Sequence, residues 1–359
     1  MEPTDTSTPR ARNQPSPSPY NNDGYTVGWI CALTVEQAAG IIMFDVQHGR
    51  PRAQHRRDNN VYKLGEIAGH LIAIACIPAG TAGTNAANTV ANHMLMSFPN
   101  IRFGLLVGIG GGIPNPEDVR LGDVVVSIPT NNFNGVVHYS KGRVEADGPV
   151  RTGQMDRPPQ ILLSAVNNLR GELRSTTLNT NTIRPRRQIA VERRRRDFGE
   201  QSLLSCFEPG FLFSTKDLLF PADYHHQLST NSQDPNKVSR ASRRPCRDVC
   251  DLGKQINRPA RMDTENPEVH YGLIASGDWL VRNSEERERI RRECGALCIE
   301  MEAAGLQGFP SLVIRGISDY ADSHKSDDWH AYAALTASAY ARELLQDIVP
   351  DSLDNLRSV

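Results

Sequence analysis

FGLLVGIGGGIPN, residues 103–115, starts as an unbroken apolar run and ends in glycines. A strand with one wet face alternates apolar and polar side chains, whereas a run without alternation is buried on both faces, as in the middle of an α/β sheet. The segments before it support that reading. YTVGWICAL (25–33) is a short β-type run, and TVEQAAGIIMF (34–44) is helical, with Thr34 as its cap. NVYKLGEIAGHLIAIACIPAG (60–80) reads as a hairpin feeding a buried strand, with the turn between Gly65 and Gly69. TAGTNAANTVANHMLMSF (81–98) starts small and becomes an amphipathic helix, and LGDVVVSIPT (121–130) is a further strand. The order β, α, ββ, α, β, β predicts an α/β layer sandwich around a largely buried sheet.

Residues 171–266 break the pattern. Arg184, Arg186 and Arg187 precede ERRRRDF, SRASRRPCRDVC follows, and between them only FLFSTKDLLFPADY (211–224) has the character of an ordered piece. We read this region as an insertion, partly mobile. Regularity returns with HYGLIASGDWLV (270–281, strand and loop), SEERERIRREC (284–294, polar helix) and ALCIEMEAAG (296–305, strand into helix). SLVIRGISDYAD (311–322) is a strand and loop, and HAYAALTASAYARELLQDIV (330–349) an amphipathic helix.

The composition excludes several classes. Forty Lys plus Arg against 41 Asp plus Glu leave no basic field for nucleic acid or an acidic membrane. Seven cysteines without regular spacing suit a reducing compartment. No apolar run approaches the ~20 residues of a spanning helix, and residues 1–23, rich in Pro, Ser, Thr and Asn, lack the apolar core of a signal peptide and read as a disordered arm. A soluble cytoplasmic protein is expected, with a domain over 24–348 and a tail over 349–359.

In open α/β sheets ligands bind beyond the carboxyl ends of strands. Polar residues stand at four such ends: Glu36, the glycines 108–112, Glu300 with Glu302, and Ser318 with Asp319. The glycines let backbone approach a ligand, although their spacing is neither a dinucleotide fingerprint nor a phosphate loop. An ionised glutamate accepts hydrogen bonds only, which suits paired ribose hydroxyls. An aspartate in a partly apolar loop can stay protonated near neutrality and act as general acid, while Glu36 orients a water. Together these tasks cleave a glycosidic bond. Each acid taken alone reads more readily as a helix cap or a buried ion-pair partner, and it is four such segments pointing at one cleft that weaken that reading. Two rival signals carry less weight. His225, His226, Cys246 and Cys250 include a C-x3-C pair, but the histidines are adjacent and twenty residues away, so no metal is expected. The arginines 184–196 lack interleaved aromatics and read as a solvated loop, and Cys294 and Cys298 as packing residues.

IEMEAAG with GISDYADS, GLIASGD and VGIGGGIP resembles the nucleoside phosphorylase and nucleosidase superfamily, which includes purine nucleoside phosphorylases and methylthioadenosine/S-adenosylhomocysteine nucleosidases, and looks closest to its fungal versions. The resemblance covers residues 25–170 and 270–345. It implies a three-layer α/β sandwich with a central twisted mixed β-sheet flanked by helices, interrupted here by the long insertion. It implies that Glu302 binds the ribose hydroxyls, Met301 packs on the sugar, and Glu300 supports them. Asp319 would protonate purine N7 with Ser318 beside it, and Glu36 would hold the attacking water. Leu280 and Val281 would hold the base, and Gly108, Ile109, Gly110 and Gly111 would flank ribose and nucleophile. The phosphorylases' phosphate-binding arginine and serine are matched by Leu106 and Ile109, and no second arginine stands among Cys31, Ala32 and Leu33. The resemblance therefore implies hydrolysis of an adenosine-type nucleoside to base and ribose, with no cofactor. The alternatives are phosphorolysis, with inorganic phosphate as co-substrate, and a module that senses a nucleoside without turning it over. Family members assemble as homo-oligomers, dimers or larger, and the partner expected here is a small purine nucleoside, not nucleic acid or membrane.

Overall fold

The computed structural model describes residues 16–130, 132–146, 148–151, 153–176, 216–227, 245–263 and 266–350. The first half holds strands β1 (Val27–Cys31), β2 (Val46–Gln47), β3 (Tyr62–Ile67), β4 (His70–Cys76), β5 (Phe103–Gly112), β6 (Val124–Ser127), β7 (Val136–His138), β8 (Gly142–Glu145) and β9 (Gly148–Arg151). Helices α1 (Thr34–Ile42), α2 (Thr84–Ser97) and α3 (Gln160–Thr176) lie among them. Then come α4 (Cys246–Val249), β10 (Val269–Gly272), β11 (Ile274–Ser276), α5 (Ser284–Cys294), β12 (Cys298–Glu300), β13 (Ser311–Asp319) and α6 (His330–Gln346).

The sheet is mixed, in the order β10-β6-β13-β5-β1-β4-β3-β2. Its centre is β5, parallel to β1 and β13, with β12 antiparallel to its glycine end. The apolar run is unbroken because both faces are covered. Leu105 and Val107 join a core with α1, α3 and α6, while Leu106 joins the opposite core with Val90 and Met94 of α2. This is the three-layer arrangement expected. Among the described residues no helix is long and apolar enough to cross a membrane.

Several local expectations are corrected. The cap of α1 is Leu33, not Thr34. Glu36 reaches back to the amides of Ala32 and Leu33, which leaves the Thr34 hydroxyl no capping task. The β3–β4 turn narrows to Ala68 and Gly69, both at positive φ, and Gly65 lies inside β3, where a Cβ would stand 2.5 Å from the Phe44 ring. Helix α6 is buried on nearly every side rather than amphipathic, because α1 and α3 flank it above the sheet. Residues 1–15 lie outside the described residues, but 16–23 are not a loose arm: Pro17 pairs with Arg50, and the buried Ser18 hydroxyl bonds Tyr25 Oη at 2.7 Å. The insertion is also partly tied down. Residues 171–176 finish α3, Leu219 and Phe220 are buried, and Arg261 bridges the buried Asp123 at 2.7 Å. The arginines 184–196 lie outside the described residues.

Candidate active site

The register of β13 on β5 sets Arg315 beside Gly108, and Asp319 beside Gly111 after a bulge. Arg315 is fully buried and is the hub of the site. Its guanidinium contacts Glu300, lies 3.2 Å from Glu302, and donates to the Ile109 carbonyl at 3.4 Å. Burial opposes its charge, but Glu300, Glu302 and Glu36 together raise its pKa above the ordinary value. A Cβ on Gly108 would stand 2.4 Å from a Glu36 oxygen and 2.5 Å from Arg315 Nη1. The glycine is therefore required by side chains closing on the strand, rather than by a ligand lying on it.

Glu36, buried on the first turn of α1, fills a cradle of three backbone amides. One oxygen accepts from Ala32 N at 2.7 Å and Leu33 N at 2.9 Å, and the other from Ile109 N at 2.8 Å. Burial nevertheless raises its pKa, against the pull of Arg315 and the amides.

Glu300 and Glu302 share Arg315, Glu300 from the end of β12 and Glu302 from the turn beyond it, where its backbone is already helical. Glu300 is a structural clamp. Its carboxylate accepts the amides of Glu302 (3.0 Å) and Ala303 (3.1 Å), shaping the turn that presents Glu302. Burial, with Glu300 and Glu36 adding to it, lifts Glu302 to about 7 despite Arg315.

Asp319 corrects an expectation. Burial does push its carboxyl up, but Lys325, in contact with it, the Ala321 amide (2.8 Å) and the Ser318 hydroxyl (2.8 Å) overcome burial and hold it below the usual value. It is an ionised partner of Lys325, not a desolvated neutral acid.

These groups face a cleft of about 780 Å³, large enough for a nucleoside. Glu36, Glu300, Glu302, Ser318 and Asp319 line it, as do Met301, Ile109, Gly110 and Gly111. Leu280 is more than half exposed at the cleft, while Val281 is packed under it against the core around Ile299. Gly108 is not part of the lining. Neither is Leu106, whose side chain turns into the α2 core, so of the two positions matched to the phosphorylases' phosphate ligands only Ile109 reaches the cleft. The Asp of GLIASGD, Asp278, serves the fold by accepting from Thr84 N and Oγ1 at the start of α2.

Sequence reasoning missed Arg315, Lys325 and His330, all within or beneath the cleft. Arg315 left a readable signal, a lone cation inside the apolar strand SLVIRGI, since a fully buried arginine needs carboxylate partners. Lys325 left none, because it stands in a polar loop (DSHKSDD, 322–328), and His330 reads as an ordinary residue at a helix start.

A parallel-centred mixed sheet with acids gathered at its strand ends defines a class, and comparison with known proteins narrows it. Residues 212–349 match the family model of the phosphorylase superfamily. That segment carries Glu300, Glu302, Ser318 and Asp319, and over it the chain is similar to the superfamily of nucleoside phosphorylases and nucleosidases. It is 38% identical over 353 residues to a nucleotide-binding leucine-rich repeat (NLR)-like protein of Hyaloscypha variabilis, an alignment covering 97% of this chain and 32% of that protein. It is 41% identical over 85 residues to the ATP nucleosidase Cap17 of Escherichia coli, covering 22% of this chain and 17% of that one. The chain thus spans about a third or less of these relatives. Its fold is similar to that of futalosine hydrolase of Helicobacter pylori, with a TM-score of 0.52 at 15% identity over 90% of this chain and 99% of that one.

Proposed function

We propose that the chain hydrolyses the N-glycosidic bond of a purine nucleoside or derivative, adenosine-type, to free base and ribose. The observation that carries hydrolysis over phosphorolysis is the seat of Glu36. Three convergent amides are an anion site, and here a carboxylate of the chain itself occupies them. A phosphate dianion would have to displace it and then face Glu300 and Glu302 around a single guanidinium already committed to them.

The residues divide the work. Two carboxylate oxygens offer about four acceptor positions. Glu36 uses three on amides, which leaves one for a water, and its raised pKa makes it the stronger base. Glu302 takes the ribose hydroxyls, and Met301 packs against the sugar. As the C1′–N9 bond breaks, its electron pair passes to the base, a proton of the Lys325 ammonium is relayed through the Asp319 carboxylate to N7, leaving Lys325 neutral, and water adds to C1′ while losing its proton to Glu36. Incubation with adenosine should release adenine and free ribose at the same rate with and without phosphate. Ribose 1-phosphate as the main product would overturn hydrolysis.

Lys325 gives a pH test. Without its ammonium, burial acts on Asp319 with its main counterweight gone, so the carboxyl pKa rises. Protonated Asp319 would then be present below that pKa and lost as pH rises through it. Because the wild type draws the proton from an ammonium and the variant only from a carboxyl, the stronger acid of the two, Lys325→Met should displace the kcat–pH profile for adenosine toward acid and lose activity at its alkaline end. An unmoved profile would detach Lys325 from the proton transfer.

The match to about a third of an NLR-like protein favours a second reading, a domain that senses a nucleoside within a longer chain. Tight adenosine binding without any adenine released would select it.

A further inference from the structure

Beside the cleft, the described residues of the insertion bring together three soft ligands that the proposed hydrolysis does not use. His226 Nδ1 lies 3.4 Å from Cys246 Sγ and 3.3 Å from Cys250 Sγ, and the three ligand atoms all fall within 4.8 Å of one another. We propose that His226, Cys246 and Cys250, with His324 as the fourth ligand, form a structural zinc site that staples the insertion to the loop carrying Lys325.

The dimensions fit. Tetrahedral zinc, with Zn–N of about 2.0 Å and Zn–S of about 2.3 Å, sets nitrogen and sulfur roughly 3.6 Å apart. The two observed nitrogen–sulfur distances need to open by only a few tenths of an ångström. Cys246 starts the single turn of α4 and Cys250 caps it, so the C-x3-C spacing turns both sulfurs to one side, and both are free thiols. A single Nδ1 satisfies at most one S–H by hydrogen bonding. The second sulfur against it is superfluous for a hydrogen bond and necessary for a metal.

His324 supplies an independent observation. Its side chain is 6% exposed, yet neither ring nitrogen has a hydrogen-bond partner, and Nδ1 is 3.6 Å from an Asp322 oxygen. The ring is stacked on Phe220 at 4.4 Å and stands edge-on to His226, with centroids 5.8 Å apart. Two imidazoles on one tetrahedral zinc hold their centroids roughly 5 Å apart by the same bond lengths. Its carbonyl oxygen is already 3.9 Å from Cys246 Sγ. A buried imidazole without a partner is costly unless something fills that place.

The expectation that no metal binds rested on the spacing of an adjacent histidine pair. In the structure that pair splits. His225 is exposed, with its carbonyl accepting from Gln227, and the second imidazole comes from residue 324, about a hundred residues along the chain. Two thiolates and two imidazoles favour zinc over the hard divalent cations. With all four positions taken by protein, the ion would do no chemistry on substrate. It would tie residues 216–227 and 245–263 to the loop in which Ser323 Oγ already accepts from the His226 amide at 3.0 Å. Lys325 is the next residue but one, so the staple fixes the side chain that sets the charge of Asp319.

The chain purified from zinc-supplemented medium and dialysed against metal-free buffer should retain about one zinc per chain by elemental analysis. Metal-stripped protein titrated with Co²⁺ should develop thiolate-to-cobalt charge-transfer absorption and tetrahedral ligand-field bands, both erased by added zinc. Cys250→Ser should retain less than a tenth as much zinc, whereas Cys294→Ser, outside the cluster, should retain all of it. His324→Phe should keep the charge-transfer band and change the ligand-field bands. Absence of zinc together with absence of the cobalt spectrum in the unaltered chain overturns the site, whatever the variants do. Equal zinc loss in Cys294→Ser overturns the ligand assignment, and an unchanged cobalt spectrum in His324→Phe removes the fourth ligand.

Discussion

Glu302→Gln is expected to lower turnover of adenosine by at least about 100-fold, the usual effect, near 3 kcal/mol, of removing one positioned electrostatic contact. The side chain is 6% exposed, 3.2 Å from Arg315, and aimed into the cleft by the turn that Glu300 clamps. Positive charge develops on the sugar as the glycosidic bond breaks, so a carboxylate on its hydroxyls binds the transition state more strongly than the ground state. Glutamine keeps the shape and loses the charge. The pH dependence follows the same group. Its carboxyl is raised to about 7, chiefly by burial and then by Glu300 and Glu36. Gripping hydroxyls needs the ionised form, so kcat/KM should fall as pH drops through about 7. Stability runs the other way. The folded chain holds this proton more tightly than the unfolded one, so the contribution is full below 4.5 and is lost as pH rises to about 7. A folded Glu302→Gln chain with wild-type turnover would remove the residue from the site.

Asp319→Asn should bind adenosine nearly as well as the wild type and lose about 100-fold or more in turnover, the range of a general acid. The asparagine carbonyl can still accept the Ala321 amide, so the loop should stay in place. What disappears is the route from Lys325 to N7, because an amide passes on no acidic proton. Adenine is a poor leaving group without that proton, whereas a nitrophenolate leaves without help. The loss should therefore be much smaller for a nitrophenyl riboside. Equal losses on the two substrates would make Asp319 a structural or binding residue and send the search for the acid elsewhere.

The position of these acids was readable, and their state was not. Glu36, Glu302 and Asp319 follow apolar runs directly, and strand ends converge on one edge of an α/β sheet. The charge of Asp319 depends on Lys325, six residues on, and no feature of the loop sequence says that this lysine folds back. Leu106 is a different case: its side chain turns into the α2 core, its neighbours Leu105 and Val107 turn into the opposite one, and β5 meets the cleft at Ile109, Gly110 and Gly111.

Sequence alone determined the layering, because an unbroken apolar strand can only be buried on both faces, and it picked out acids that the fold brings to one cleft, because strand ends are local features. Only the tertiary structure decided what those acids do to one another. Arg315 gathers Glu300 and Glu302, Glu36 occupies the amides of β5 and of the loop after β1, and His226 meets Cys246, Cys250 and His324. The decisive pairings join segments distant along the chain, as Glu36 with Ile109, 73 residues apart, and His226 with His324. Charge state and ligand geometry depend on distances of a few ångströms between such segments, and those distances exist only after the sheet has closed them.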